Sequence, residues 1–472
     1  LEDFTAFDIA FDFFYKTSSE ENINFVQDVF KKLQDNGHIY ENDIIQFYCE
    51  NDQKFLPDRF VKGTCPNCSA EDQYSDLCEK CGRVPEEIIN PHCSICGQPP
   101  VKKTTNHYFF KLKNFSASLL DYLNNSKYLQ KDVKKYVENW IKEGLIDWDI
   151  TRDISWGVPI PIEGLQDKVF YGWFDNHLAY ISSTLKFLND KDIDGKTFWN
   201  DADIYHFIGK DIVYHHYLFL PAMRLGLDKE FKLPDYIPTR GHLTLQSKKI
   251  SKSRNWYIGL KDFLEIFPAD YLRFYLISIN PYSQDDLNFD WEQFSTKINS
   301  ELIGNLGNLV NRVLGFTNKT FDGVLPEPEE FDDKDVESER KIKSLAEDVG
   351  KLMQENHLDR ALRYLMEFSS HFNQYFQHKE PWKKESGTNT CIYLSVNAVR
   401  SLAICLQSFL PKSSQKIWSQ LGLPGSVSDI SWNEMSELSL KPGHKIGNVE
   451  PLFSKIEQSV IEQEQAKLGR ND

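Results

Sequence analysis

Asp203-Ile204-Tyr205-His206-Phe207-Ile208 runs directly into Gly209-Lys210-Asp211-Ile212-Val213-Tyr214-His215-His216, and the fold is read from this stretch. Six residues rich in β-branched and aromatic side chains end in a glycine turn and pass into a helical pattern. A nearly unbroken apolar run of this length predicts a buried parallel strand. Val169-Phe170-Tyr171-Gly172-Trp173 has the same character and is also followed by a helical pattern. From about residue 113 to 290 such runs alternate with helical ones, which predicts an α/β fold with a Rossmann-type parallel sheet. An acid at the start of the helix, Asp211, suits a nucleotide ribose whose hydroxyls donate to it, although an ordinary strand-to-helix turn reads the same way. Ile212 and His216 are four apart and share a helical face, where a core histidine with satisfied hydrogen bonds is the plainer account.

Upstream lie two Cys-x-x-Cys knuckles, Cys65-Pro66-Asn67-Cys68 and Cys78-Glu79-Lys80-Cys81. Thiolates on two tight turns are what a tetrahedral zinc ion needs. Cys93 and Cys96 follow, so seven of the nine cysteines fall between Cys49 and Cys96. A disulfide framework is the alternative. It suits a chain of 472 residues poorly, because such a chain builds a core without staples. Zinc held by four thiolates has no open coordination position, so it would fold a module and take no part in chemistry.

Four regions follow from the patterning. Residues 1–48 contain an amphipathic stretch, Glu20 to Asn36, led by the helix-start signal Thr17-Ser18-Ser19-Glu20. Residues 49–112 are the cysteine-rich module, and residues 113–290 the α/β part. Residues 291–472 are helical, with apolar spacing through Ile303, Leu306, Val310 and Leu314, then Leu362, Leu365, Phe368 and Phe372. An acidic, proline-containing break, Leu325 to Asp335, divides that region. Aromatic residues make up 14% of the chain, too many for disorder. The net charge of −16 argues against non-specific nucleic-acid binding and leaves room for a local basic surface. No apolar run approaches the 18 residues of a membrane span, and no signal peptide is visible. With reduced cysteines, this predicts a cytoplasmic protein without a membrane partner.

Lys248-Lys249-Ile250-Ser251-Lys252-Ser253-Arg254 packs four cations and two hydroxyls into seven residues. On a loop, such a group neutralises polyphosphate charge in a transition state. Taken alone it would read as a solvated basic loop. Lys249 to Ser253, however, resembles the KMSKS loop of class I aminoacyl-tRNA synthetases, with Ile in place of Met. Further segments are similar to the methionyl-tRNA synthetase family: Phe55-Leu56-Pro57-Asp58-Arg59-Phe60-Val61-Lys62-Gly63-Thr64-Cys65-Pro66, Trp148-Asp149-Ile150-Thr151-Arg152-Asp153 and Phe207 to Tyr214. Asn308-Leu309-Val310-Asn311-Arg312 and Glu380-Pro381-Trp382 extend the match into the helical region.

The resemblance implies a Rossmann catalytic core with a zinc-bearing connective insertion. It also implies a stem-contact region around the KMSKS-like loop and an all-α anticodon-binding bundle. It implies methionine–tRNA ligase activity: ATP-dependent activation of methionine, then transfer to tRNA(Met). Trp173, Tyr180, Ile212 and His216 would wall the methionine pocket, where aromatic faces suit a soft thioether. Gly209 and Asp211 would hold the ATP ribose, and the backbone of Gly241, His242 and Leu243 would face the adenine. Lys249, Ser251 and Lys252 would bind the phosphates together with Mg²⁺, and Arg152 would help to order the site. Asn308, Arg312 and Trp382 would read the CAU anticodon by hydrogen bonding and stacking.

Three departures from the family pattern are evident. The HIGH-type signature of the first Rossmann helix is absent, and residues 1–48 are read as the remnant of the first Rossmann half and the lead into the insertion. The expectation is a portion of a longer synthetase, completed by a preceding segment or a separate N-terminal chain, and inactive alone. The alternative is a non-catalytic relative that binds tRNA or protein. Second, Asn176-His177 stand where the family usually has Ala-Pro, either narrowing the pocket or facing away from it. Third, a further metal site would pair Cys49 and Asp52 with Cys93 and Cys96, with Asp52 in place of a cysteine. A carboxylate oxygen is a legitimate zinc ligand.

Overall fold

A computed structural model of the protein describes all residues except Leu77, Glu79, Gly82, Val84, Gln166, Asp167 and residues 470–472, and leaves the side chains of Asp58 and Ser253 undescribed. The chain forms two compact units, one of Phe11–Thr239 and the other of Leu1–Ala10 with Arg240–Asp472. The division at 239/240 falls inside the stretch 113–290 that the sequence reads as one region.

In the Phe11–Thr239 unit, the helix Glu20–Asp35 begins where the sequence places it, with the Ser19 hydroxyl accepting the Asn22 N–H at 3.1 Å. Its apolar stripe, Val26, Val29, Phe30 and Leu33, is buried. A long antiparallel ribbon follows, Ile39–Cys49 against Val101–Phe110, in register from Ile39 opposite Phe110 to Tyr48 opposite Val101. The cysteine-rich segment lies between the two arms. There Val61–Thr64 pairs with both Gln73–Tyr74 and Ile89–Cys93. At the opposite end of the ribbon, Trp148–Asp149 pairs with Phe109–Phe110, tying the next segment to it.

The expected pair of parallel strands needs correction. Val169–Phe170 is a two-residue strand that pairs antiparallel with Thr151–Arg152. The run from Ile204 does meet its neighbour in parallel, through Tyr205 and Tyr236, with His206 N–H on the Tyr236 carbonyl and Ile208 N–H on that of Pro238. Pro234 and Pro238 have no N–H to return, so only a fragmentary ladder forms. Within the run Ile204, His206 and Ile208 are buried while Tyr205 and Phe207 are exposed, the alternation of a strand covered on one face.

The other unit starts from a three-stranded sheet. Leu243–Leu245 pairs antiparallel with Lys248–Lys249 and parallel with Leu287–Phe289. Helices then dominate: Trp291–Lys297, Asn308–Phe321, Asp333–Gln354, Leu358–Lys379 and Thr388–Leu406. Leu306, Val310, Leu314, Leu362, Leu365, Phe368 and Phe372 lie in the core. The helix Thr388–Leu406 is long and apolar enough to cross a membrane by length and composition, which the sequence reading did not expect. Within this unit 94% of that window is buried, and Asn397 and Arg400 bond there to the Leu440 and Glu434 carbonyls. It is a core helix of the bundle.

Candidate active site

The Cys65, Cys68, Cys78 and Cys81 thiols converge with all four sulfurs within 4.8 Å of one another. Cys65 Sγ is 3.8 Å from Cys81 Sγ, and Cys68 Sγ is 3.6 Å from Cys78 Sγ. Sulfurs bound at 2.3 Å around a tetrahedral zinc lie about 3.8 Å apart, so the donor set fits that ion. Cys49, Asp52, Cys93 and Cys96 form a second such cluster. Asp52 Oδ2 lies 3.2 Å from Cys49 Sγ and 3.1 Å from Cys93 Sγ. Hydrogen bonds from Cys96, Cys93 and Cys49 hold its carboxyl at about 2, so it is ionised as a ligand must be. All nine cysteines are free thiols, which removes the disulfide framework.

The helix Gly172–Asn189 places Trp173, His177 and Tyr180 on one face. The helical run after Gly209 supplies Ile212, His215 and His216. It widens over His215–Phe219 into a π-helix, whose hydrogen bonds join residues five apart. Pro221 has no N–H for the preceding turn, a physical cause of that widening. The His216 ring sits 3.0 Å from the Ile212 carbonyl through Nδ1 and 3.2 Å from the Tyr180 hydroxyl through Nε2. A carbonyl only accepts, so Nδ1 carries the proton and the Tyr180 O–H donates to Nε2. The four residues read from the sequence as one pocket are thus brought together, with Trp173 joined to the rest through His177 (ring centroids 5.6 Å) and His215 (4.2 Å, stacked). Burial, aided by the Arg224 cation, pushes His216 down to about 4, so it is neutral. On the preceding turn, a Cβ at Gly209 would stand 2.5 Å from Asp211 Oδ1.

Sequence reasoning passed over His206 and His215, and left the direction of His177 open. His177 is buried and faces His216 edge-on at 5.0 Å, whereas Asn176 is exposed. The alternation Ile204-His206-Ile208 was a legible sign that His206 points inward. Arg224 was also missed. It is fully buried over Trp199 at 4.7 Å, and its Nη1 donates to the Lys232 carbonyl.

Arg152 belongs to a charge network. Its guanidinium lies 3.9 Å over the Tyr171 ring and pairs with Asp149 at 3.3 Å. The buried His107 joins that Asp149 through Nδ1 and Asp153 through Nε2, both at 2.8 Å, and Lys168 pairs with Asp153. Burial opposes a charge on His107, but the two carboxylates outweigh it and raise its pKa.

In the other unit a Cβ at Gly241 would lie 1.9 Å from the Asp285 carbonyl oxygen, so only glycine fits there. The His242 N–H donates to Asp286 at 2.8 Å and its carbonyl accepts from Leu287, while Leu243 pairs with Leu287 across the sheet. Ser251 and Trp256 exchange two backbone hydrogen bonds of 2.9 Å, which close a loop carrying Lys252. Lys249 and Lys252 are exposed. In the bundle, Asn308 donates to Asn373 at 3.0 Å and Arg312 to Gln377 at 2.6 Å, successive rungs between two helices. The Arg312 guanidinium lies 4.8 Å from the Phe376 ring and 5.3 Å from that of Trp382, whose surface is 41% exposed.

Residues 1–314 match the family described as tRNA synthetases class I (M), and residues 335–467 match the anticodon-binding domain of tRNA ligase. Among curated relatives, the methionine–tRNA ligase of Methanosphaera stadtmanae is 39% identical over 99% of this chain and 71% of its own length. That of Methanopyrus kandleri is 40% identical over 99% and 70%. Among solved structures, Mycobacterium tuberculosis methionyl-tRNA synthetase in complex with methionyl-adenylate is 25% identical with a TM-score of 0.77, covering 96% of this chain and 84% of that one. The expected fold class is borne out: a Rossmann-like class I catalytic domain, a cysteine-knuckle insertion and a helical anticodon domain. By sequence and by fold, the chain belongs to the class I (M) family of tRNA synthetases.

Proposed function

We propose that the protein is a methionine–tRNA ligase, which activates methionine with ATP and passes it to a tRNA bearing a CAU anticodon. The observation that carries this reading is the Tyr180–His216–Ile212 relay beside Trp173, in a chain that aligns with curated methionine–tRNA ligases over 99% of its length. The alternative of a non-catalytic relative leaves that buried relay without a task.

The chemistry needs no covalent enzyme intermediate. The methionine carboxylate attacks the α-phosphorus of ATP, taken as its Mg²⁺ complex, and pyrophosphate leaves. A hydroxyl of the terminal tRNA ribose then attacks the carbonyl of the mixed anhydride, and AMP leaves. Trp173 and Tyr180 offer aromatic faces to the thioether. Gly209 permits a close approach of the ribose, whose hydroxyls donate to Asp211. Gly241, His242 and Leu243 lie along the adenine. Lys249 and Lys252, with Ser251 holding their loop, meet the charge that develops on the phosphates. Arg152, fixed by Asp149 and Tyr171, orders the surrounding segment. Asn308, Arg312 and Trp382 take the anticodon.

Zinc held by Cys65, Cys68, Cys78 and Cys81 would fix the insertion, and Cys49, Asp52, Cys93 and Cys96 would hold a second ion. When bound, it supplies folding energy to the module. The protein works in the cytoplasm. Residues 1–472 contain no His-x-Gly-His signature, so assays include a polypeptide that provides one, in cis or as a second chain. The deciding experiment is charging of a CAU-anticodon tRNA with labelled methionine. Equal charging after the anticodon is changed would overturn the recognition part of the proposal.

A further inference from the structure

The acidic, proline-containing break between the bundle helices has no part in the chemistry above, yet its carboxylates converge on one place. Leu325 is buried, donates its N–H to the His444 carbonyl and accepts from Gly443, both at 2.8 Å. Pro326 and Pro328 fix φ just after it, and Phe331 packs against the core. The Glu329 N–H donates to the Thr390 hydroxyl at 2.8 Å. The break is therefore a strap fastened along its length.

What it fastens is the loop that carries Trp382, between the helices Leu358–Lys379 and Thr388–Leu406. At the entry, the Lys379 ammonium, with its side chain only 9% exposed, pairs with Asp332 at 2.8 Å and Asp335 at 2.6 Å. At the exit, the Gly387 N–H donates to Glu329 Oε2 at 2.7 Å, joined there by the Ser386 hydroxyl at 3.2 Å. The Asn389 N–H reaches Oε1 at 3.4 Å. Entry and exit meet, since a Cβ at Gly387 would stand 3.5 Å from Lys379 Nζ. Between them Glu380 and Lys384 have φ of +44° and +57°. Residues with a side chain adopt that left-handed backbone at a cost and keep it where their surroundings enforce it. The Gly387 N–H holds the Glu329 carboxyl below its ordinary pKa, so the acceptor is charged at neutral pH.

We infer that Glu329 is a positioning residue for anticodon reading: by closing the base of this loop, its carboxylate sets the attitude of the Trp382 indole. This rests on the anticodon reading above and adds to it a residue that acts through the loop. Asp332 and Asp335 serve the same loop, but they also form the capping box of the helix Asp333–Gln354. Glu329 is the member whose removal leaves that helix start intact.

The test measures aminoacylation at limiting tRNA and pyrophosphate exchange by the activation-competent enzyme, for the parent, Glu329→Ala, Trp382→Ala and the double variant. Glu329→Ala removes every acceptor at the exit. Its kcat/KM for tRNA should fall roughly tenfold while exchange stays unchanged. Glu329→Gln keeps an acceptor for the Gly387 N–H and should restore most of the loss. Because Glu329 works through the indole, the double variant should lose little beyond Trp382→Ala alone. An unchanged kcat/KM for tRNA in folded Glu329→Ala, or losses that simply add in the double variant, would overturn the inference. If Glu329→Ala does not fold, Glu329→Asp replaces it. That variant keeps the charge, withdraws it by one methylene and should show a smaller loss that is again non-additive, judged by the same two outcomes. A Trp382→Ala enzyme that charges tRNA as well as the parent would instead refute the underlying anticodon reading.

Discussion

Trp382→Ala separates the reading head from the chemical centre. The indole lies in the middle of the short turn Pro381–Lys383 after the helix Leu358–Lys379, 41% exposed, with the Arg312 guanidinium 5.3 Å from its ring. Arg312 has a second ring contact, Phe376 at 4.8 Å, and a 2.6 Å bond to Gln377, so removing the indole leaves it anchored. The cation–π loss at so exposed a place is about 0.5–1 kcal/mol, and the fold should survive with a small fall in Tm. An unstacked base resting on the indole is worth ~1–3 kcal/mol, which corresponds to about a 5- to 150-fold loss in kcat/KM for tRNA. Aminoacylation at limiting tRNA should show that loss, while methionine-dependent pyrophosphate exchange should be unchanged. Equal losses in the two assays, or a large fall in Tm, would mean that Trp382 is only a packing residue of the bundle, and the anticodon assignment of Asn308, Arg312 and Trp382 would be withdrawn.

Lys252→Ala should behave oppositely: exchange should fall roughly 10²–10³-fold, about 2.7–4 kcal/mol, with little change in methionine affinity, as equilibrium binding would check. Cys78→Ser should reduce bound zinc by about one ion per chain and melt the insertion, read by metal analysis and limited proteolysis; full metal content would refute the ligand set. His107 has a raised folded pKa, so its stabilisation is full below about 6.5 and lost as pH rises through the folded value. The stability difference between the parent and His107→Asn, by chemical denaturation, should therefore shrink between pH 6 and pH 8.5, and a difference that grows would contradict the network. His215 and His216 have the reverse sign. Burial holds both near 4, so their unfolded forms take up protons first and the Phe11–Thr239 unit should lose stability as pH falls from about 6.5 to 4, by roughly 1.4 kcal/mol per unit of pKa difference.

The parts of the fold that local chemistry specifies were legible in the sequence. Ser19 as a helix cap, the four-apart pair Ile212 and His216, the convergent knuckles and the apolar stripes of the bundle all follow from spacing alone. What escaped depends on distant partners. The parallel reading held for the run from Ile204, which meets Tyr236 in parallel but forms only a short ladder because Pro238, some thirty residues away, denies it a donor. It failed at Val169–Phe170, whose partner is the antiparallel Thr151–Arg152. The direction of His177 is set by packing between two helices, and Arg224 is an apolar position by pattern that holds a cation. The network of His107, Asp149, Asp153 and Lys168 joins three separate segments, and no window of sequence contains it.

Exchange of labelled pyrophosphate into ATP, run with each of the twenty amino acids and with a His-x-Gly-His-bearing polypeptide present, tests the central claim most directly. The account predicts that methionine alone supports rapid exchange and that His216→Leu abolishes the preference. Faster exchange with any other amino acid, or none with methionine, would contradict it.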